Sequence, residues 1–365
     1  MGAAGVWVLL AERDSALRWL IVGIVCFAWP GAAVAAAATE RSITVPGTIS
    51  EPAQHLLEQL EQQKPWQTAA PAVTDAEAWS VLRERADARG LERARQWLEH
   101  GAVSIEERTM DAVPVLDIRP LDWRDHGQVI VFLHGGAFTL NSARGTLANV
   151  VPVALASGLR VISVDYGKAP QTDWWQMQQQ VLAVFRRLLA DGYAMDRIGV
   201  YGASAGGGLA ISSILAGRSA GLGWPAALVL WSPWVDLSPA GDTMETLKDA
   251  DPILDYDALL KPSAEAYAAG LALDDPRISP IYASFAEGFP PTLIQDSTKT
   301  IFLSGSVRLY RHLDGAGKQV VLDLYEGLPH VFQQFSLPES AMAISKTASF
   351  LLEHLAESPG LAADP

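Results

Sequence analysis

Two rhythms alternate along this chain. Over residues 50–100 the apolar positions recur at the spacing of a helix face. Leu56, Leu57 and Leu60 do so in HLLEQLEQQ, and the pattern continues through WSVLRERADARGLERARQWLEH. From residue 102 onward the period drops towards two in VSIEERTM and AVPVLDIRP, and the turn at Gly127 leads into VIVFL. A short, unbroken apolar run bounded by turn residues suits a strand covered on both faces, as in a parallel sheet. The chain then switches repeatedly between the two rhythms. LRVISVDY (159–166), RIGVYG (197–202), AALVLWSPW (226–234), PTLIQ (291–295) and QVVLDLYEG (319–327) predict strands. WWQMQQQVLAVFRRLLADGY, GGGLAISSILAGRSAG, VRLYRHLDGAG and ESAMAISKTASFLLEHLA predict the helices between and after them. Strands separated by helices in this order give an α/β fold with a mostly parallel central sheet flanked by helices and right-handed crossovers.

The rhythm fails in two places. Residues 238–288 break into polar, proline-marked helical pieces, and with residues 39–101 they are expected to form a helical cap over one edge of the sheet. The expected organisation is therefore a core of residues 102–237 and 289–358, interrupted by inserted cap helices at 238–288. At the start of the chain, Arg13 and Arg18 precede the 21 uncharged residues from Trp19 to Thr39, opening on LIVGIVCFAW. Ala33-Val34-Ala35 and Ala36-Ala37-Ala38 match the small-x-small pattern of a signal-peptidase site. Residues 1–38 are thus read as an export signal, giving a secreted or periplasmic protein. The alternative is an uncleaved membrane tether at residues 19–39.

Composition narrows the choice of partners. A net charge of −14 argues against nucleic acid. With Cys26 the single cysteine, neither a disulfide framework nor a cysteine-based zinc site is available. No dinucleotide fingerprint, phosphate loop or metal-ligand cluster is visible, so no cofactor and no metal are expected.

Three short stretches carry chemistry. YGASAGGG places Gly202-Ala203-Ser204-Ala205-Gly206 between a predicted strand and a predicted helix, where small residues allow a sharp turn that exposes a serine at a helix N-terminus. FLHGGAF sets Gly135 and Gly136 directly after a buried strand, where their N–H groups, with that of Ala205, could converge on an oxyanion. GLPHVFQQF places His330 after the last strand. His55, His100, His312 and His354 fall on helical stretches, His126 falls in a turn and His134 belongs to the glycine loop, leaving His330 as the base.

In this order the three stretches resemble the hormone-sensitive-lipase-like (type IV) branch of the α/β-hydrolase esterases, over residues 105–355. Asp165-Tyr166 with Ala169-Pro170, the run Ser232-Pro233-Trp234-Val235-Asp236-Leu237, and Asp251-Pro252 add to the likeness. The resemblance implies an α/β-hydrolase fold with a helical cap, and hydrolysis of small-molecule esters or lactones of short to medium acyl length. It implies Ser204 as nucleophile, His330 as base, and Gly135, Gly136 and Ala205 as the oxyanion hole. An amidase would use the same residues. The chain departs from the family at the third triad member: Lys299 and Thr300 stand where an acid is expected. Asp296 is the nearest carboxylate. It is either the orienting acid or an ordinary strand-end residue beside an impaired triad. The impaired case leaves open a non-catalytic ligand-binding protein on the same fold.

Overall fold

The computed structural model describes residues 41–357 apart from Ser42. The expected signal or tether at residues 1–38 lies outside the described residues. Two helices come first, α1 (Glu51–Gln63) and α2 (Ala76–Glu99), each capped by a side-chain oxygen: Ser50 accepts from Ala53 N, and Asp75 from Ala78 N. The remaining elements are β1 (Val103–Met110), β2 (Val113–Pro120), β3 (Val129–Leu133), α3 (Leu147–Ser157), β4 (Val161–Val164), α4 (Trp174–Ala190), β5 (Ile198–Ala203), α5 (Ala205–Ser219) and β6 (Ala227–Trp231). They continue with the short α6 (Thr243–Thr246), α7 (Lys261–Ala268), β7 (Thr292–Ser297), α8 (Leu303–Gly315), β8 (Val320–Tyr325) and α9 (Pro338–Glu357).

The strands form one eight-stranded sheet in the order β1-β2-β4-β3-β5-β6-β7-β8. β1 and β2 pair antiparallel, β2 meets β4 antiparallel, and every pairing from β4 to β8 is parallel. Strand alternation divides the apolar runs between two faces. Val129, Val131 and Leu133 of β3 pack with α4, α5 and α8, through residues such as Phe185, Leu209 and Leu309. Ile130 and Phe132 point the other way, onto α3 and α9 through Val150, Val151 and Leu351. Both faces are dry, which is why β3 reads as an uninterrupted apolar string. The edge strands β1 and β8 are instead half-exposed and mixed.

The sequence pattern did not predict α3. Its residues LANVVPVALAS are apolar nearly all round and include Pro152, so a buried helix leaves no amphipathic period to detect. A third apolar cluster joins Ala53 and Leu57 of α1 with Trp66, Leu328, Phe332 and Leu337. The first helix thus packs on the loop that carries His330.

Candidate active site

In the parallel part of the sheet, the C-terminal strand ends share one edge, and four connections there meet around a cavity. Such an edge is the usual ligand side of an open α/β sheet. Ser204 sits between β5 and α5 at φ 54 and ψ −123, a strained backbone for a residue with a side chain. The turn is over-determined. Ser204 N donates to Trp231 O at 2.8 Å, and Ser204 O accepts from Gly207 N and Trp234 N, both at 2.9 Å. Glycine is required beside it, because a Cβ on Gly206 would fall 2.1 Å from Leu133 O.

The β3 connection passes under the serine. A Cβ on Gly135 would stand 3.0 Å from that of Ser204. The Gly135 carbonyl faces away, accepting from Asn141 Nδ2 at 3.2 Å and lying 2.9 Å from His134 Nδ1. In a planar trans peptide the N–H opposes the carbonyl, so this anchoring aims the Gly136 N–H to the opposite side. Among the described residues, the N–H groups of Gly135, Gly136 and Ala205 have no partner within the chain. Tyr166, the tyrosine of the Asp165-Tyr166 stretch, donates its hydroxyl to His134 O and stacks on the His134 ring at 4.1 Å. His134 is thus a buried support for the loop, and burial pushes its pKa down to about 3.

His330 lines the same cavity as Ser204, and its Nε2 is buried with no hydrogen-bond partner. Burial alone pushes its pKa down to about 3, so the ring is neutral over the ordinary pH range and one ring nitrogen carries a free lone pair that can accept a proton. On its other side, Nδ1 meets Thr300 Oγ1 at 3.5 Å, the outer edge of hydrogen-bond range.

Asp296 is not brought to the imidazole. Its carboxylate is committed elsewhere: Oδ1 accepts from Ser297 N at 2.8 Å, Oδ2 from Ser306 Oγ of α8 at 2.6 Å, and the Ser232 side chain bonds it as well. Asp296 lies within β7, whereas the position beside His330 belongs to the loop after that strand, where Thr300 stands. Asp296 nevertheless reaches the base's loop indirectly, since Ser232 Oγ accepts from Val331 N at 3.2 Å. Full burial holds its pKa up at about 7. Asp251 ties the inserted segment to the loop after β7 that carries Thr300: Oδ2 accepts from Ile301 N, and Oδ1 from Ile253 N and Leu254 N. Sequence reasoning gave no role to Ser232 or Ser306, and it named Thr300 only, with Lys299, as standing where the family acid is expected; in the structure Thr300 is the one of the two that meets the His330 ring.

The cavity measures about 200 Å³. The sheet side supplies Gly135, Gly136, Ser204 and His330, the inserted segment Ile253, Leu254, Leu259 and Leu260, and α2 Ala86, Arg89, Gly90 and Arg93. Trp174 and Trp175 lie away from it. Trp175 is exposed, and Trp174 lies under the Arg277 guanidinium. Among the described residues no group of three or more His, Cys, Asp or Glu side chains could hold a metal ion.

Residues 130–334 match the family model described as the alpha/beta hydrolase fold. The chain belongs to that family, in its hormone-sensitive-lipase-like branch. It is similar to an acetyl-hydrolase of Streptomyces hygroscopicus, 32% identical over 236 residues that cover 64% of this chain and 78% of the relative. It also resembles an esterase of Acinetobacter venetianus at 31% identity, covering 61% and 74%. Among solved structures, esterase E25 superposes with a TM-score of 0.78 at 26% identity, covering 86% of this chain and 97% of that one. An esterase of the bacterial hormone-sensitive lipase family gives 0.68 at 31% identity, covering 74% and 97%. This α/β-hydrolase chain is, by class, a carboxylic-ester hydrolase.

Proposed function

We propose that this α/β hydrolase cleaves short-chain carboxylic esters through an acyl-enzyme on Ser204, with His330 as general base. The observation that carries the reading is one cavity holding the strained Ser204 turn, the unpartnered Nε2 of His330 and the glycine loop. His330 Nε2 takes the hydroxyl proton as Oγ attacks the ester carbon, and it later protonates the departing alcohol. The tetrahedral oxygen sits against the N–H groups of Gly135, Gly136 and Ala205, where each donor is typically worth about 10²–10³ in rate. Water then repeats the sequence on the acyl-enzyme and releases the acid. A volume of about 200 Å³ lies below the roughly 300–1,000 Å³ of sites for drug-sized ligands, which favours short acyl groups.

The orienting group in this mechanism is the Thr300 hydroxyl. A neutral acceptor holds the imidazole in place but cannot balance the charge of the imidazolium, so turnover is slow for the class. The test is hydrolysis of p-nitrophenyl acetate, butyrate and octanoate by the full chain and by Ser204→Ala. The expected result is turnover that favours the two shorter esters and falls by about 10³-fold or more in the variant. Equal turnover by both proteins would overturn the proposal.

A further inference from the structure

Two arginines of α2 line the cavity that holds the serine, Arg93 half-buried and Arg89 exposed. Arg89 and Arg93 are four residues apart, hence on one helix face, and both line the same space as Ser204 and His330. They approach because Gly90 packs on Gly145 so closely that a Cβ there would fall 1.7 Å from Gly145 O. Among the described residues neither meets a carboxylate. Arg93 Nη1 donates to the uncharged amide oxygen of Gln334 at 2.9 Å, and its guanidinium lies 5.3 Å from the centroid of the Phe335 ring. Arg89 Nε reaches the Arg85 carbonyl at 3.3 Å. Among the described residues no carboxylate lines the cavity.

A shortage of acids does not explain this. The chain has 41 Asp and Glu against 27 Lys and Arg, and several partly buried arginines take carboxylates: Arg160 and Arg119 close on Asp117, Arg41 on Asp255, and Arg308 on Asp236, whereas Arg83, like Arg93, donates to uncharged oxygens. Burial, and after it the neighbouring charge of Arg89, push the Arg93 pKa down to about 10. That direction means the free protein leaves this charge uncompensated. An oxyanion between the two guanidinium forks would supply both hydrogen bonds and charge balance.

Resting on the ester-hydrolase reading of Ser204, we propose that this cavity selects esters bearing a second, ionised carboxylate, held by Arg93 and Arg89 while the ester carbonyl lies at Ser204. The substrate class is the half-ester of a short dicarboxylic acid or the acyl ester of a short hydroxy acid. Its hydrolysis adds water across the acyl C–O bond and yields a carboxylate, an alcohol and a proton. The far carboxylate is unchanged.

The two sources are separated with matched pairs assayed on the full chain. Monoethyl succinate is set against ethyl 4-methylpentanoate, placing the charge on the acyl side. Acetoxyacetate is set against isobutyl acetate, placing it on the alcohol side. In one pair the charged ester is expected to have a kcat/KM at least about tenfold above its neutral isostere, within the range that charge-assisted hydrogen bonds supply. Arg93→Gln and Arg89→Gln each lower that ratio, the double variant brings it to about one, and Arg93→Lys keeps part of it. Thermal unfolding of each variant checks folding, and the within-protein ratio cancels a general loss of active enzyme. Serine-dependent turnover with no preference for either charged ester would overturn the proposal and leave the hydrolase reading intact. If no ester is turned over, the hydrolase reading fails. Calorimetric titration with succinate then decides: binding lost in the double variant sustains the anion site, and absence of binding overturns it.

Discussion

In the proposed mechanism Thr300 is the residue that sets the rate. It occupies the position beside His330 Nδ1 and accepts from Phe302 N at 3.3 Å, so its hydroxyl oxygen is already shared. Replacing an orienting aspartate with a neutral amide costs about 10⁴ in kcat in a well-studied serine protease, mainly through the wrong tautomer. A hydroxyl that accepts from Nδ1–H avoids the tautomer error and lacks only the charge. Thr300→Glu is therefore expected to raise kcat on p-nitrophenyl butyrate by about tenfold to a hundredfold, measured beside the unaltered chain. The same substitution tests the pH dependence. Burial holds His330 well below its ordinary value, so the acid limb of kcat/KM should lie below about pH 5 in the native chain. A carboxylate next to Nδ1 stabilises the imidazolium, so Thr300→Glu should move that limb upward. A native limb near the ordinary histidine value would contradict the desolvated imidazole. Asp296, by contrast, bonds Ser306 and Ser232 and has no bond to the ring, so Asp296→Asn is expected to keep most of the native turnover.

At the scale of elements, α2 sets the shape of the cavity. It is held against the glycine loop by Arg83, whose Nε donates to Thr139 O and whose Nη2 donates to Ala169 O, each at 2.8 Å. The inserted segment grips the same loop from the other side. Ser263 Oγ lies 3.0 Å from Thr139 Oγ1, and Tyr267 stacks on Phe138 at 3.7 Å. Gly90 is the point of closest approach. Gly90→Ala must push α2 away from Gly145, an overpacking that costs about 1–3 kcal/mol. Chemical denaturation should show that loss, and KM should rise because Arg89 and Arg93 withdraw with the helix. An unchanged KM would mean that α2 does not bound the substrate space. The pattern of polar and apolar positions foretold both covering segments as helical but not their mutual grip. That grip runs through Arg83, Ser263 and Tyr267, which are far apart in sequence and carry no periodic signal.

For the whole molecule, buried ionisable groups give a defined pH response. His134 and His330 are held down at about 3, so the unfolded chain takes up protons that the folded chain refuses. Their contribution to stability is fully present above the ordinary histidine value and is lost as pH falls towards 3. Asp296 and Asp251 work in the opposite sense. Held up at about 7 and about 6, they keep protons that the unfolded chain releases. Their contribution is present below the ordinary carboxylate value and is lost as pH rises through 6 to 7. Asp296→Asn removes one of these, so the variant should gain stability relative to the native chain between about pH 4 and about pH 8, by a few kcal/mol at most. Urea unfolding at both ends of that range measures it. A pH-independent difference would mean that Asp296 is ionised in the folded chain.

By itself the amino-acid sequence determined the order of strands and helices and the placement of Ser204 at a strand-to-helix turn. Each follows from a local rule: periodicity, a buried apolar run, or glycine where a side chain cannot fit. It also singled out His330 as the candidate base and the missing acid at Lys299-Thr300, because both fall in short motifs. Helix α3 escaped, since a helix buried all round has no polar face to mark its period. Only the tertiary structure decided which side chain meets Nδ1, because the four-residue step from within a strand to the loop beyond it sends Asp296 to Ser306 and Thr300 to His330. The two arginines of α2 that meet no carboxylate among the described residues were equally hidden. Opposite charges are abundant along the chain, and whether an arginine finds one depends on which helix face is pressed against which loop.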